Sequence, residues 1–268
     1  MLRFLIPLRP LSCFFLLVLL AIPAISAGEI LTIDEDFSTT ANRDQAMTSA
    51  AWDTTAMQVH LHSQVLFPRG TFNTNSAYWS ARRGDHLFLA DGVSGLRSIN
   101  LSDPDSPVQS DIVACANQAK GVAISGDFAF VAAGGAGLQV INISNPLDMV
   151  DGGYFTNDGD LAYVGSVTIS GDALYLAESG SGVAVFNIAN PSLPVFVQHL
   201  ATGSWAQDVF STETHLFVLD GGMKIFDLTT PLAPSEVSFT PLSGSGLRVT
   251  SKADRAFVAC SDGLWIYG

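Results

Sequence analysis

The chain has 268 residues, and its 25 Asp and Glu residues outnumber 12 Lys and Arg residues, giving a formal net charge of −13 at pH 7. Nucleic acids and anionic lipid surfaces are bound through clusters of Lys and Arg, and an acidic surface repels them. The composition therefore excludes a nucleic-acid role and suits solubility, cations or basic partners.

Residues 1–27 have the pattern of a secretory signal peptide. Arg3 and Arg9 make the start positive, an apolar run follows, and the small residues AISA precede a cleavage site near Ala27. A membrane-spanning helix needs about 20 apolar residues, so an uncleaved anchor is less favoured. We expect export to the periplasm, the cell surface or the medium, and no membrane span after cleavage.

Residues 28–62 contain few apolar positions. They predict an extended N-terminal arm packed on the following domain, and the alternative is a segment that becomes ordered only against another molecule. His60 and His62 alternate, so on a strand they would share a face and could bind a metal ion. Two ligands are too few for such a site, and no third is evident nearby.

The rest of the chain repeats one pattern. GDHLFLADGVSGLRSINLSDP begins at residue 84, GDFAFVAAGGAGLQVINISNP at residue 126 and GDALYLAESGSGVAVFNIANP at residue 171. Five aromatic residues mark the copies at intervals of 42, 45, 42 and 40 residues: Phe88, Phe130, Tyr175, Phe217 and Phe257. An all-β period of about 40–50 residues is typical of β-propeller blades.

Each copy predicts the same strands in chain order. A strand that is apolar on both faces, such as LFLA or LYLA, indicates a sheet buried between neighbours. A Gly-rich hairpin and a third strand follow, and a turn with proline ends the third strand. A more polar fourth strand, such as PVFVQHLA, completes the copy. The prediction is an all-β domain over residues 63–268.

One short polar residue precedes each proline turn; these are Asn100, Asn142, Asn187 and Asp227. They could form a ring of ligands, since each blade would contribute one. Short polar side chains at such positions also bond to nearby backbone groups and fix the turn, and we favour this structural role.

Five copies predict a five-bladed β-propeller. The last copy ends with its third strand, GLWIYG, and an open edge would expose unpaired backbone groups. The stretch QVLFPRGTF at residues 64–72 precedes the first copy and belongs to no blade. We therefore expect this N-terminal strand to complete the fifth blade and close the ring.

The pattern GD-x-A-[FY]-V-A, followed by G-L-x-V-[IF]-[ND]-I-[SA]-N-P, resembles the LVIVD-repeat proteins of bacteria. The resemblance covers residues 76–268, and the second and third copies match best. It implies an exported β-propeller that acts as an envelope or extracellular interaction protein, with no common catalytic set. The matching residues lie in turns and strands, so the resemblance is specific for fold and almost silent on chemistry.

Motifs for several chemistries are absent from the sequence. No serine fits the G-x-S-x-G nucleophile elbow, and neither phosphate-binding glycine motif occurs. Cys115 and Cys260 remain after export, where a disulfide is permitted. Their places in the repeat do not match, so two buried thiols are favoured over a bridge.

One face of the propeller collects carboxylates and aromatic residues. The hairpins between second and third strands place Asp91, Glu178, Asp220 and Asp262 there. The links from fourth strands to the next blades add Trp79, Asn157, Asp158, Asp160, Tyr163 and Trp205. Such carboxylates could bind Ca²⁺ or a cationic group, and the aromatic residues could stack on sugar rings or anchor a protein. The alternative is that the acids are ordinary solvated turn residues.

Two main functions follow from these observations. The favoured one is a secreted or cell-surface binding or scaffold module, monomeric and without catalysis, whose partner is an envelope protein or a polysaccharide. The alternative is a propeller hydrolase or lyase that holds Ca²⁺ with the same carboxylates and polarises a substrate oxygen. A third hypothesis is a structural part of a larger surface assembly.

Overall fold

A computed structural model describes residues 71–156, 163–180, 182–252 and 254–268 together with the backbone of three short strands nearer the N-terminus. The chain divides into two compact units, residues 1–69 and 70–268. In the first unit, β1 (Thr32–Ile33), β2 (Ala50–Asp53) and β3 (Gln58–Leu61) form an antiparallel sheet in that order. The segment predicted as an extended arm thus contains a small sheet. The predicted signal peptide, residues 1–27, lies outside the described residues.

The described part of the second unit contains five antiparallel sheets, each built from strands consecutive in the chain. Sheet I comprises β4 (Trp79–Arg83), β5 (His86–Ala90), β6 (Leu96–Asn100) and β7 (Val108–Val113). Sheet II comprises β8 (Gly121–Ser125), β9 (Phe128–Ala132), β10 (Leu138–Asn142) and β11 (Val150–Phe155). Sheet III comprises β12 (Tyr163–Ser170), β13 (Ala173–Ser179), β14 (Gly182–Asn187) and β15 (Val195–Leu200).

Sheet IV comprises β16 (Asp208–Ser211), β17 (His215–Leu219), β18 (Gly222–Asp227) and β19 (Ser235–Pro241). Sheet V comprises β20 (Gly246–Lys252), β21 (Arg255–Cys260) and β22 (Gly263–Tyr267). Sheet V therefore has three strands where the other four have four. No α-helix occurs among the described residues, so the predicted all-β architecture is confirmed.

The strand predicted to complete sheet V, residues 64–72, falls almost wholly outside the described residues. Only its last two positions, Thr71 and Phe72, are described, and neither is in a strand.

Consecutive sheets pack face to face around their first strands. β4 contacts β8, β8 contacts β12, β12 contacts β16 and β16 contacts β20. Each hydrophobic core cluster is shared by two neighbouring sheets; in one, Leu138 of β10 packs with Leu176 of β13 and Phe186 of β14. Full burial of such a side chain contributes about 1.5–3 kcal/mol. In each sheet the first strand is therefore innermost and the fourth strand outermost. This order explains why β13, a second strand, is buried along most of its length, whereas β19, a fourth strand, is mostly exposed.

The turns before the prolines have the predicted structure. The side-chain oxygen of Asn100 accepts a hydrogen bond from the backbone N–H of Ser102 at 2.7 Å, and Asn142 does the same for Ser144 at 2.9 Å. Asn187 and Asp227 repeat the contact at 2.8 and 2.6 Å. The structural role favoured for these four residues is confirmed. Cys115 and Cys260 are free thiols; Cys260 is buried, as predicted, whereas Cys115 is only partly buried.

Candidate functional site

The hairpins between second and third strands lie against the links between sheets. Gly92, in the first hairpin, donates to and accepts from the backbone of Ala119, in the link to sheet II, at 3.1 and 2.9 Å. Gly134 forms an equivalent bridge to Val164, and the carbonyl of Glu178 accepts from Ala206 N–H at 3.2 Å. We call the surface formed by the described residues of these hairpins and links, residues 91–95, 114–120, 133–137, 163–164, 178–180, 182, 201–207, 220–222, 242–246 and 260–263, the hairpin–link face.

Asp91 is one of the acids predicted on this face, and its side chain points inward. It is fully buried, and its carboxylate accepts hydrogen bonds from the N–H groups of Ser76 (2.6 Å) and Asn75 (3.2 Å) and from Arg97 Nε (2.5 Å). Burial alone would raise the pKa of Asp91, but these bonds and the Arg97 charge hold the pKa below its ordinary value. Asp91 thereby ties the hairpin of sheet I to the segment before β4 and to the third strand.

Asp220 occupies the same position in sheet IV and is also buried, at 4% exposure. Lys224 of β18 is equivalent to Arg97 of sheet I. After the hairpin, each is the second residue of the third strand that pairs with the second strand. Burial raises the pKa of Asp220, while Thr202, Lys224 and the Ser204 N–H counteract this effect. Within the described residues, its Oδ2 atom has no hydrogen-bond partner.

Glu178 is the equivalent acid of sheet III, but its third strand has Ala184 at the position of Arg97. The imidazole beside it comes instead from the fourth strand, where His199 Nε2 lies 3.0 Å from Glu178 Oε2. Glu178 is fully buried, and desolvation raises its pKa to about 7. Neither carboxylate oxygen has a well-oriented hydrogen bond among the described residues.

Asp262 differs from the other three acids. Asp91 lies three residues after the aromatic residue of its second strand. The residue at the same distance is Cys260 in sheet V and Ala133 in sheet II. Asp262 lies two residues later, is exposed, and accepts hydrogen bonds from Ser243 Oγ (2.7 Å) and Trp265 Nε1 (3.2 Å). These bonds hold its pKa below the ordinary value. The hairpin acids therefore do not form one equivalent set, and three of the four are buried rather than solvated.

Aromatic side chains provide the exposed chemistry of the hairpin–link face and its border. Trp205 is 65% exposed, Tyr78 41% and Tyr163 40%. Tyr163 Oη donates to Gln118 Oε1 at 3.2 Å, and Lys120 Nζ lies 3.5 Å from the centre of the Tyr78 ring. Trp205 borders an open depression of about 450 Å³ between the hairpin of sheet III and the link from sheet III to sheet IV. Trp79 is only partly exposed and packs against the core shared by sheets I and II.

The first strands bring together a polar cluster that sequence reasoning missed. In each sheet, the aromatic residue of the second strand pairs with a residue of the first strand. The residue two positions before that partner is, in sheets I to V, Trp79, Gly121, Ser166, Asp208 and Arg248. The Arg248 guanidinium lies 5.2 Å from the centre of the Trp79 ring, and its Nη1 is 3.5 Å from Asp208 Oδ1. Asp208 also accepts from Val249 N–H at 2.8 Å. Burial raises the pKa of Asp208, against the lowering effect of Ser166, Arg248 and two backbone N–H groups.

This cluster links sheets III, IV, V and I. Arg248 of sheet V contacts Asp208 of sheet IV on one side and Trp79 of sheet I on the other. Counting from the aromatic residue of each second strand also aligns the hairpins. The same count, made towards the first strand, would have identified these positions in the sequence. No such signal marks His199 in the sequence. His199 contacts Glu178 from the fourth strand, and the fourth strands differ most in sequence between copies.

A metal site is not formed by the described residues. Within 71–156, 163–180, 182–252 and 254–268, no group of three or more His, Cys, Asp or Glu side chains is placed to hold an ion. The predicted face residues Asn157, Asp158 and Asp160 lie outside the described residues, as does His62, and the side chain of His60 is not described.

Comparison with known families identifies the repeat. The LVIVD repeat model matches residues 116–154 and 162–202. These are the second and third copies, the two that best fit the predicted pattern, and the resemblance is confirmed there. No curated protein matches the chain.

Solved structures show the fold. A functionally unknown protein from Desulfotomaculum acetoxidans superposes with a TM-score of 0.60 at 12% identity, covering 82% of this chain and 71% of that one. BamB from Moraxella catarrhalis gives 0.53 at 13% identity, covering 78% and 60%. The computationally designed protein Ika8 gives 0.56 at 11% identity and covers 84% of this chain, which spans 65% of the designed one. These likenesses support a β-propeller fold and, at such identities, nothing about activity.

Proposed function

We infer that this chain, which contains two LVIVD repeats and has a β-propeller fold, is a non-enzymatic binding module that presents its hairpin–link face to a partner. The observation that carries the proposal is the separation of roles on that face. Asp91, Glu178 and Asp220 turn inward, whereas Trp205 and Tyr163 remain exposed. Exposed aromatic side chains on a rigid scaffold are the residue type that most often anchors a bound partner.

The propeller is proposed to have five blades closed into a ring. Five sheets follow one another in the described residues, and the contact of Arg248 with Trp79 joins the first strands of the last and first sheets. Sheet V has no fourth strand among the described residues, and residues 64–72 supply an unassigned apolar stretch. We assign this stretch as the fourth strand of sheet V, because an unpaired edge is unfavourable.

The partner is proposed to be an envelope protein or a polysaccharide met outside the cytoplasm. Residues 1–27 have the pattern of a cleaved export signal. No helix in the described part of the chain is long and apolar enough to cross a membrane. The net charge of −13 disfavours anionic partners.

Capture of envelope material tests this function. The full chain is immobilised and exposed to envelope extract and to purified polysaccharides, beside a variant with Trp205→Ala, Tyr163→Ala and Tyr78→Ala. We expect the wild-type chain to retain a partner that this variant loses, because the change removes three exposed rings and leaves the fully buried core residues in place. Equal capture by both proteins would overturn the proposal.

The matched control carries Leu147→Ala and Leu193→Ala. These side chains are 63% and 58% exposed and lie in the proline turns, at the opposite ends of the strands from the hairpin–link face. This control should bind like the wild-type chain. Neutralising Asp91, Glu178 and Asp220 would be a poor test, since their burial makes loss of stability the first consequence.

A further inference from the structure

We propose that the depression beside Trp205 binds a neutral or amino sugar ring of a polysaccharide. This inference rests on the proposed function and names the ligand of the hairpin–link face. Six residues line the depression: Gly180, Ala201, Thr202, Gly203, Ser204 and Trp205. Its volume of about 450 Å³ is within the range of small-molecule sites, about 300–1,000 Å³.

A glycine of the lining lies beside the indole. Gly180, in the hairpin of sheet III, has a φ of +109°, and a Cβ there would lie 3.9 Å from Trp205 Nε1. Positive φ angles favour glycine, so the turn geometry also leaves space beside the indole.

Trp205 supplies an apolar platform within a polar lining. A single exposed apolar side chain needs no explanation by itself. Here the 65% exposed indole borders Ser204, which is exposed, and Thr202, whose buried hydroxyl donates to Ser204 O at 3.3 Å. The π face of an indole is electron-rich and stacks on polarised C–H groups, such as those on one face of a sugar ring, while hydroxyl and backbone groups can bond the sugar hydroxyls.

A buried carboxylate behind this lining points independently to a ligand with hydroxyl or ammonium donors. Asp220 is 4% exposed, neighbours Thr202 and the N–H of Ser204, and has no hydrogen-bond partner for Oδ2 among the described residues. Leaving a buried acceptor unsatisfied is unfavourable, so a ligand that donates to the network of Thr202 and Ser204, which acts on Asp220, gains affinity. An acidic sugar would instead be repelled by this carboxylate and by the net charge.

Isothermal titration of the full chain tests the assignment. The probes are cellohexaose, maltohexaose, a chitosan hexamer and, as the anionic comparison, oligogalacturonate. We expect at least one of the first three to bind and oligogalacturonate not to bind. Trp205→Ala should weaken binding about tenfold or more, since loss of stacking and contact area of this kind corresponds to about 1.4 kcal/mol or above. Trp205→Phe should recover part of the loss, and Leu193→Ala should change nothing.

The outcomes separate this inference from the proposed function. Absence of binding by the three neutral and amino sugars, or binding that is unchanged in Trp205→Ala, overturns the sugar site. If envelope capture still depends on the exposed aromatic residues and the captured partner is a protein, the proposed function stands without the sugar site. Capture that ignores all three aromatic substitutions overturns the proposed function itself.

Discussion

Sheets III and V carry the same repeat with opposite degrees of burial. In sheet III, β13 and β14 are buried at nearly every position, because sheets II and IV pack on their two faces. In sheet V, Trp265 and Ile266 of β22 are 41% and 57% exposed. The strand-forming pattern is thus common to both sheets, whereas stability depends on how many neighbours cover each one.

The largest expected effect contrasts one residue from each sheet. Leu176→Ala removes a fully buried side chain of β13 and should lower the free energy of unfolding by about 2–5 kcal/mol, the range for buried Leu to Ala changes. Ile266→Ala removes an exposed side chain of β22 and should cost about 0.5 kcal/mol or less. Chemical denaturation of both variants measures the difference. Equal losses would mean that sheets III and V are covered alike.

The next effect concerns the hairpin position, where sheet III has Glu178 and sheet V has Cys260. The folded-state pKa of Glu178 is raised from 4.5 to about 7, so the folded chain binds more protons than the unfolded chain between these values. Stability should therefore fall as pH rises from about 4.5 to 7, by up to about 3 kcal/mol from this group. Glu178→Gln should remove the slope and leave the variant more stable than wild type at pH 8.

Denaturation curves across pH 4–8 measure this slope. Asp91→Asn is the control, because the pKa of Asp91 is lowered and the stability it contributes is lost only as pH falls through its folded-state value, below about 3.8. That variant should lose about 2 kcal/mol at neutral pH, the contribution of hydrogen bonds to a charged group, while keeping the slope between pH 4.5 and 7. Parallel curves for wild type and Glu178→Gln would contradict the assigned role of Glu178.

The fold could be predicted from sequence to the extent that it depends on local residues. The aromatic spacing, the Gly-rich hairpins and the Asn or Asp before each proline act within one copy, and the strands and turns they predict are present. The environment of the hairpin acids depends on other strands: Arg97 contacts Asp91 from the third strand, His199 contacts Glu178 from the fourth, and the charge of Lys224 acts on Asp220 while its Nζ pairs with Glu236. Membership of the Gly-rich hairpin grouped Asp262 with them, whereas the count from Phe257 places Cys260 at that position.

The smallest expected effect is local and concerns the outer edge of sheet V. β22 pairs with β21 on one side, and the described residues contain no strand on the other side of β22. If residues 64–72 form the fourth strand, the outward N–H groups of Gly263–Tyr267 are hydrogen-bonded in the full chain and exchange slowly with solvent. Leu66→Pro removes a donor and disfavours a strand at that position, so it should speed exchange in β22 while leaving β13 unchanged.

Leu66→Ala is the matched control, since it shortens the side chain and keeps the backbone donor. It should preserve slow exchange in β22, apart from a small loss of side-chain packing. Hydrogen exchange read by mass spectrometry at the level of single strands distinguishes the two variants. Fast exchange of the outward β22 amides in the wild-type chain, indistinguishable from Leu66→Pro, would show that residues 64–72 do not close the ring. The edge of sheet V would then be open to pairing with another chain, which is the usual consequence of an uncovered edge strand.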